Sequence, residues 1–260
     1  MKKTLIVLMM VMLAALIIVS CDSSAGNSVI YKVTFDSNNG SDAVVKEVKN
    51  GEKVTKPDTP TKDNCIFVKW TTDQAGNNKY DFESAVNGDI TIYAQWVALP
   101  AVGSSVNLGT YPNDYEIASN RGKAVAWKVL AIDDAEKRVL LISQNILKGQ
   151  MSYSAPEIQT YLNGFISNYG LNDVSVCNVD VTSETTTVGS GADKLFLLSK
   201  TEAENKSYFA DDAARIATYN GSAIEWWVRP YNGTNYAVHD IGDVFTYYNA
   251  GVRPAMWVNF

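Results

Sequence analysis

Histidine and cysteine are scarce in this chain, and their scarcity argues against several kinds of chemistry. The 260 residues include one histidine, His239, and three cysteines. A His-Glu-x-x-His zinc site needs two histidines, and a Gly-x-Ser-x-Gly nucleophile motif is missing. No Cys-x-x-Cys pair is present either, which argues against a zinc ribbon and a redox dithiol. We therefore expect no enzyme activity, no catalytic residue, no metal site and no cofactor.

Positive charge is also in short supply. Lysine and arginine number 22 against 28 acidic residues, for a formal net charge of −6. Without a basic cluster to contact phosphates, nucleic acid is a poor partner for this chain. The apolar fraction of 46% is ordinary for a globular protein and argues against wholesale disorder.

A long apolar run occurs at the amino end of the chain. Two lysines at 2–3 precede an apolar stretch over 5–19, and polar residues follow Cys21. This is the pattern of a secretory signal peptide, and the run is short for a membrane-spanning helix. The tail Ile18-Val19-Ser20-Cys21 resembles the bacterial lipobox. The resemblance implies cleavage before Cys21 and lipidation of its sulfur.

Lipidation at Cys21 implies a membrane partner, because several acyl chains on one cysteine hold a protein to a bilayer better than one. We expect a lipid-anchored protein of the cell envelope, displayed on the outer surface. The periplasmic face is the alternative, since Asp22 resembles an inner-membrane retention signal known in some bacteria.

Composition and turn signals divide the chain into five segments and predict an α+β protein. Small polar residues follow Cys21, and a short stretch with proline and glycine separates two regions rich in strand patterns. The predicted segments are a signal peptide (1–20), a lipidated tether (21–28), a small β module (29–97), a linker (98–105) and a larger α+β domain (106–260).

The small module shows strands punctuated by tight turns. Tyr31, Val33 and Phe35 alternate with polar residues, which is the period of a half-buried strand. Asn50-Gly51 and Asn87-Gly88 are tight-turn signals. An Asp36-x-Asn-Asn-Gly-x-Asp run superficially matches a calcium loop, but its glycine comes one residue early, so a β-turn is the better interpretation.

The order and spacing of these segments resemble the Listeria–Bacteroides repeat, also called the internalin-type B repeat. The resemblance implies a ubiquitin-like β-grasp module, found in surface proteins as a spacer or partner-contact unit. Asn64-Cys65 and Lys69 depart from the usual pattern at two local turns. The segments that carry the resemblance are 33–40, 57–62, 67–70, 80–82 and 89–96.

The larger domain combines strand patterns with two helix starts. Ser154 precedes a proline in a predicted first turn, and Ser199 precedes a second helix. The ordered segments resemble an uncharacterised domain family of secreted and surface bacterial proteins. The closing segments, 225–229 and 251–255, also look like the end of sulfatase-modifying-factor and C-type-lectin-like domains. Cys177 has no nearby cysteine partner, so the oxidase chemistry of the former is not expected.

The richest candidate for recognition is the aromatic stretch from 226 to 248. Tyrosine mixed with asparagine and glycine is a composition suited to adaptable binding surfaces. We expect a long connection to carry the ligand-binding candidates Tyr231, Tyr236, His239, Tyr247 and Tyr248. We expect framework roles for Trp226, Trp227, Arg229 and Arg253.

Three functions remain open from the sequence. The favoured one is binding or adhesion to a host protein, a glycan or an envelope partner. The second is a structural or accessory envelope role without a soluble ligand, and the third is an envelope hydrolase. Two structural questions also stay open: whether Cys65 and Cys177 pair or remain free, and whether Asp240 and Asp243 hold calcium.

Overall fold

A computed structural model describes residues 28–260, so the predicted signal peptide, most of the tether and Cys21 lie outside the described residues. Strands predominate over helices, which is compatible with the predicted α+β class. None of the helices in this range has the length and apolar character needed to cross a bilayer. The helices are α1 (Ala155–Asn168) and α2 (Lys200–Ala203), with 3₁₀ turns at Ala118–Asn120 and Ala213–Arg215.

The strands are numbered in chain order. They are β1 (Ile30–Asp36), β2 (Val44–Lys49), β3 (Cys65–Thr71), β4 (Ile90–Ala98), β5 (Ser105–Thr110), β6 (Ala124–Asp133), β7 (Arg138–Ser143), β8 (Lys148–Ser152), β9 (Val179–Asp180), β10 (Thr187–Val188), β11 (Leu195–Phe196), β12 (Thr218–Tyr219), β13 (Ser222–Ala223), β14 (Trp226–Trp227), β15 (Tyr236–Val238), β16 (Val244–Thr246), β17 (Asn249–Val252) and β18 (Ala255–Asn259).

The first module is one four-stranded sheet in the order β2-β1-β4-β3, with β1 and β4 parallel at its centre. Val33 and Phe35 share one face of β1 and are buried, as their alternation predicts. Trp70 packs edge-on against Phe35, with ring centroids 5.3 Å apart. Asp36 is a turn residue, because its carboxylate accepts the backbone N–H of Asn38 at 2.8 Å.

The larger domain contains two five-stranded sheets. One has the order β11-β18-β7-β6-β5 and the other β16-β15-β14-β17-β8. Strand β7 separates two hydrophobic clusters: Val139 and Leu141 belong to the first cluster, whereas Leu140 and Ile142 belong to the second. A strand buried on both faces reads as a continuous apolar run, which explains the sequence Val-Leu-Leu-Ile.

Both predicted helices are present. Ile158, Leu162 and Phe165 recur at helical spacing on α1 and are its buried residues. Ser199 caps α2 through a reciprocal capping box, in which its hydroxyl accepts from the N–H of Glu202 and the Glu202 carboxylate accepts from the N–H of Ser199. This box orients the Glu202 carboxylate toward the interior of the domain.

The two modules share apolar and ionic contacts. Ile66 of β3 is fully buried within the first hydrophobic cluster of the larger domain. Beside it, the Asp173 carboxylate lies 2.6 Å from the Lys56 ammonium and 2.8 Å from that of Lys79. The Asp173 side chain is only 7% exposed, so water screens these pairs less than ordinary surface pairs. Within residues 28–260, neither Cys65, nearby on β3, nor Cys177 forms a disulfide.

The charge pairing keeps Asp173 ionised. Burial alone would raise the pKa of Asp173, but the hydrogen bonds and charges of Lys56 and Lys79 outweigh it and hold the pKa below its ordinary value of 3.8. A carboxylate with a depressed folded-state pKa stabilises the fold above its unfolded-state pKa. That stabilisation is lost as the pH falls through the folded-state value.

We predict that Asp173→Asn lowers the free energy of unfolding by about 1–2 kcal/mol at neutral pH, because one charged hydrogen bond, from Lys56, and one ion pair, with Lys79, are lost. Urea unfolding measures the loss. The matched control is Glu83→Gln, which breaks the exposed Lys53–Glu83 pair and should change stability by less than about 0.5 kcal/mol. The difference between wild type and Asp173→Asn should shrink near pH 3. An equal effect of both variants at neutral pH would contradict the prediction.

Candidate functional site

One side of the second sheet of the larger domain carries a group of polar and aromatic side chains. Trp227 and Ala237 belong to the first hydrophobic cluster, whereas their neighbours along the strands belong to the second. Glu225 and His239 stand two residues from Trp227 and Ala237. Because strand side chains alternate with a period of two, Glu225 and His239 lie on the same side of the sheet as these two core residues.

Glu225 is the buried acceptor at the centre of this group. The Gln150 amide donates to one carboxylate oxygen at 2.7 Å, and the Tyr247 hydroxyl donates to the other at 2.9 Å. The Nε2 atom of His239 lies 3.4 Å from the same oxygen as Tyr247. The hydrogen bond to Glu225 raises the pKa of Tyr247. The carboxylate is therefore held in one orientation by neutral donors.

His239 stands between two carboxylates and two aromatic rings. Its Nδ1 atom lies 2.6 Å from Oδ1 of Asp240. Its ring centroid lies 4.8 Å from that of Phe245 and 5.7 Å from that of Tyr247. These rings limit rotation of the imidazole, while the Asp240 side chain is 43% exposed. We call Glu225, His239, Asp240, Phe245 and Tyr247 the Glu225 cluster.

A tight turn places His239 and Asp240 at the cluster. The backbone N–H of His239 donates to the Asp243 carbonyl at 2.8 Å, and that of Gly242 donates back to the His239 carbonyl at 2.9 Å. Gly242 has a φ of +97°, and a Cβ atom there would overlap the Asp212 backbone. The turn therefore requires glycine. The Arg215 guanidinium donates to the Gly242 carbonyl at 3.2 Å and holds the turn against the domain.

A second buried guanidinium, that of Arg253, supports the first. It donates to the carbonyls of Ser143 at 2.9 Å and Arg215 at 3.0 Å, and it stacks 4.9 Å from the Trp226 ring. The Trp226 indole N–H donates to the same Arg215 carbonyl at 3.1 Å. Burial lowers the pKa of Arg253. Carbonyl oxygens and an aromatic face, rather than a carboxylate, surround this charge.

A pocket lined by tyrosines lies at the start of β8 and has a volume of about 340 Å³. The hydroxyls of Tyr161 and Tyr169 are 3.1 Å apart. At the rim, the Lys148 ammonium lies 2.7 Å from the Glu116 carboxylate. We call this site the tyrosine pocket; its polar lining comprises Asp114, Tyr115, Glu116, Lys148, Tyr161, Asn168 and Tyr169.

The phenols of the tyrosine pocket are neutral at physiological pH. Burial raises the pKa of Tyr169 to about 12 and that of Tyr115 further. Burial and the neighbouring Glu116 also raise the pKa of Tyr219, which lies beside the pocket, to about 12. The hydroxyls of Tyr115 and Tyr161 already donate to the Leu147 carbonyl, at 2.8 and 3.0 Å, so the pocket offers their acceptor oxygens next to two carboxylates, Asp114 and Glu116, and one ammonium.

Strand β8 connects the tyrosine pocket with the Glu225 cluster. Lys148 lines the pocket, and Gln150, two residues further along the strand, donates to Glu225. The pairing of β8 with β17 is irregular between Lys148 and Met151, so simple alternation does not fix the faces of these side chains. Between them, Gly149 allows the Tyr219 ring to approach, since a Cβ atom there would lie 3.1 Å from the ring. The two sites are therefore neighbours along β8.

The structure separates the five ligand-binding candidates predicted from the sequence. His239 and Tyr247 meet in the Glu225 cluster. Tyr236 lies on the other side of β15, where it packs against the second hydrophobic cluster. Tyr231 closes the 231–234 turn and is 44% exposed, and Tyr248 is 91% exposed. The expected long connection is wrong, because β15 and β16 run through it as a three-residue antiparallel pair.

The four predicted framework residues are all buried. Trp226 and Trp227 are fully inaccessible, and Arg253 is 2% exposed. Arg229 is 8% exposed and lies 3.2 Å from the Glu202 carboxylate, the same side chain that closes the capping box of α2. Each tryptophan N–H has a backbone acceptor, Arg215 for Trp226 and Met151 for Trp227. Large buried aromatic residues with satisfied N–H groups act as packing anchors.

Sequence reasoning missed Glu225 and the tyrosine pocket. Glu225 stands directly before Trp226-Trp227. Strand alternation predicts that its side chain lies on the same side of the sheet as Trp227, and this pattern is the sequence signal for Glu225. Tyr161 and Tyr169 lie eight residues apart, about two helical turns, which places both on one side of α1 or just beyond it. Neither signal shows that β8 and the 113–116 turn complete the site.

Fold and sites together define a two-module protein with a small β sheet followed by a larger domain of two sheets. The family model of the Listeria–Bacteroides repeat domain matches residues 31–95. That of a domain of unknown function, DUF6273, matches residues 136–260. The chain therefore contains a repeat domain followed by a DUF6273 domain. The second match begins between β6 and β7, although β5 and β6 belong to the same sheet as β7.

Two relatives from Evansella cellulosilytica share part of the chain. One, named "Putative membrane protein", is 33% identical over 89 residues, which is 34% of this chain and 13% of the relative. The other, named "Putative Gly-rich membrane protein", is 37% identical over 67 residues, which is 25% of this chain and 8% of the relative. The chain thus spans about a tenth of the length of either relative.

We predict that Arg253→Lys lowers the free energy of unfolding by about 2–3 kcal/mol, because a lysine ammonium cannot reproduce the planar fork and leaves buried carbonyls without donors. Urea unfolding measures the change. Arg121→Lys is the control, since Arg121 is exposed and should tolerate the exchange within about 0.5 kcal/mol. Wild-type stability of Arg253→Lys would show that the guanidinium geometry is not needed.

Proposed function

We propose that this protein is a non-catalytic binding protein of the bacterial cell envelope whose ligand is a glycan. The single observation that carries the proposal is the tyrosine pocket, with the Glu225 cluster as its neighbour along β8. Pockets with a few converging polar groups among aromatic side chains are the usual binding sites of proteins.

The chemistry of this pocket suits a polyhydroxylated ligand. Sugar hydroxyls donate to carboxylates such as Glu116 and accept from ammonium groups such as Lys148. The phenol oxygens accept hydrogen bonds, and the tyrosine rings offer apolar faces to the carbon skeleton of a sugar. The alternative ligand is a host or envelope protein, and the binding test described below distinguishes it from a glycan. Nucleic acid remains an unfavoured partner because of the net charge of −6.

Anchoring by a lipid on Cys21 is part of the proposal. Three observations support an envelope location: the lipobox-like sequence before Cys21, the Listeria–Bacteroides repeat, and relatives named as membrane proteins. We place the binding domain outside the membrane that holds the lipid, on the outer surface, with the periplasmic face as the alternative.

The detailed folds also remain proposals. We propose a β-grasp fold for the repeat domain, supported by the parallel central pair β1 and β4 with β2 and β3 at the two edges. For the larger domain, a C-type-lectin-like fold or a relation to sulfatase-modifying factors is a proposal from the closing segments 225–229 and 251–255. The binding function does not depend on either assignment.

An accessory envelope role is the second candidate. It is favoured by the contacts of Lys56 and Lys79 with Asp173, which join the two modules. In that case the protein would act as a spacer for a membrane partner and would bind no soluble ligand.

We predict that a glycan array probed with the full chain in detergent reveals a ligand, and that Tyr169→Phe weakens its binding about two- to twelvefold. The reason is the loss of one hydroxyl from the pocket, worth about 0.5–1.5 kcal/mol. Titration calorimetry with the best glycan measures the change. Tyr236→Phe is the matched control, because its hydroxyl lies on the other side of the sheet and should not affect affinity.

Three results would decide against the glycan proposal. Equal affinity for both tyrosine variants would remove the pocket from the site. A protein ligand in place of a glycan would change the ligand class. Turnover of the bound glycan, abolished by Glu116→Gln or Glu225→Gln, would make the protein a hydrolase.

We predict that Cys21→Ser abolishes incorporation of a labelled fatty acid and releases the protein from the membrane fraction, because the thioether attachment point is lost. Gel fluorography and fractionation measure the two effects. In intact cells expressing the wild type, protease should remove the 106–260 domain while a periplasmic control protein survives. Survival of both until the envelope is broken would place the domain in the periplasm, and retention of label by Cys21→Ser would refute the anchor.

A further inference from the structure

The Glu225 cluster brings together three side chains whose oxygen and nitrogen atoms are metal ligands in proteins. One ligand atom from each of Glu225, His239 and Asp240 lies within 4.8 Å of the other two. We propose that these three residues form a binding site for a divalent transition-metal ion, with Zn²⁺ as the ion that fits its donors. This assignment differs from the sequence-based expectation of no metal site.

The donor set matches the chemistry of Zn²⁺. Imidazole nitrogen and carboxylate oxygen bind Zn²⁺ at about 2.0–2.2 Å, which separates neighbouring ligands by about 3.3 Å in a tetrahedral site. The 3.4 Å between Nε2 of His239 and Oε1 of Glu225 is close to that separation. Calcium prefers six to eight oxygen ligands, so a site containing an imidazole is poorly suited to it.

The contact between His239 and Asp240 supplies a second, independent observation. The Nδ1 atom of His239 and Oδ1 of Asp240 are sealed from solvent, and neither has a hydrogen-bond partner within residues 28–260. They nevertheless lie 2.6 Å apart. A proton on Nδ1 in this contact leaves the lone pair on Nε2, the nitrogen 3.4 Å from Glu225, so His239 would bind the ion through Nε2.

Neighbouring side chains hold two of the three proposed ligands in fixed orientations. Gln150 and Tyr247 each hold one oxygen of Glu225, and Phe245 packs against the imidazole. Such contacts orient the ligands of known metal sites. Asp240 is the most exposed of the three, with 43% of its side chain accessible, and coordination requires that side chain to rotate toward the ion at Nε2. Three protein ligands leave a fourth position open to water or to an oxygen of a bound molecule.

The metal proposal is independent of the proposed function. Binding of Zn²⁺ requires neither a glycan nor the tyrosine pocket, so loss of glycan binding in Tyr169→Phe leaves the metal prediction unchanged. Conversely, the protein can recognise a glycan through the pocket without a metal.

The test is titration of the chelator-treated full chain with zinc chloride in a calorimeter. We expect one Zn²⁺ per chain and a weakening of about tenfold or more in His239→Ala and in Glu225→Gln, because each removes a ligand. The matched control is Asp243→Asn, an exposed carboxylate of the same turn that lies outside the ligand set, which should bind Zn²⁺ as the wild type does.

A second measurement separates ligand loss from misfolding. Zn²⁺ should raise the midpoint of thermal unfolding of the wild type and of Asp243→Asn, because an ion that binds the folded state stabilises it. It should not raise the midpoint of His239→Ala, whose metal-free unfolding transition reports whether that variant is folded. Tyr247→Phe keeps all three ligands and should weaken binding less than either ligand variant.

Three results would overturn the proposal. The first is no saturable Zn²⁺ binding by the wild type. The second is wild-type affinity in folded His239→Ala and Glu225→Gln, which would locate the ion elsewhere. The third is tighter binding of Ca²⁺ than of Zn²⁺, which would contradict the donor chemistry and place a different class of ion in the turn.

Discussion

The arrangement of the candidate site depends on a positive charge that is buried without an acidic partner among residues 28–260. The Arg253 guanidinium donates hydrogen bonds to backbone carbonyls at the end of β7 and in the 213–215 turn, and it stacks on the Trp226 ring. A rigid fork suits several carbonyls at fixed positions better than a flexible ammonium does. Because Arg215 in turn holds the Gly242 turn, the positions of His239 and Asp240 follow from a network that begins outside the site.

Local signals account for much of the fold. In the first module, alternation along β1 and Asn-Gly turns indicate strands and their ends, since both depend on residues close in sequence. The capping box of Ser199 and Glu202 is predictable for the same reason. In contrast, β15 and β16 have only three residues each, too few for a periodic pattern to emerge between glycine and asparagine turns. Their pairing is visible only in three dimensions.

The candidate site is less predictable because its parts come from distant segments. His239 and Tyr247 stand out as unusual residues in an aromatic stretch. Glu225 and Gln150, which complete the cluster, are 75 residues apart and ordinary in type. Amino-acid composition does not distinguish the two sides of a strand. It therefore groups Tyr236 with residues whose side chains lie on the opposite side of β15. Non-local strand pairing decides which side chains meet, and no property of a short window contains that information.

The contact of Ile66 with the core of its neighbour has a consequence for the evolution of such chains. A repeat that can be exchanged freely between genes needs a self-sufficient surface. Here Ile66 of the repeat is buried in the hydrophobic cluster of the adjoining domain. Asp173 of that domain is the counter-ion of Lys56 and Lys79 in the repeat. A recombination that joined this repeat to another domain would expose Ile66 and leave two lysines without their counter-ion. The repeat and its neighbour therefore depend on each other for the burial of Ile66 and for the charge pairing of Asp173.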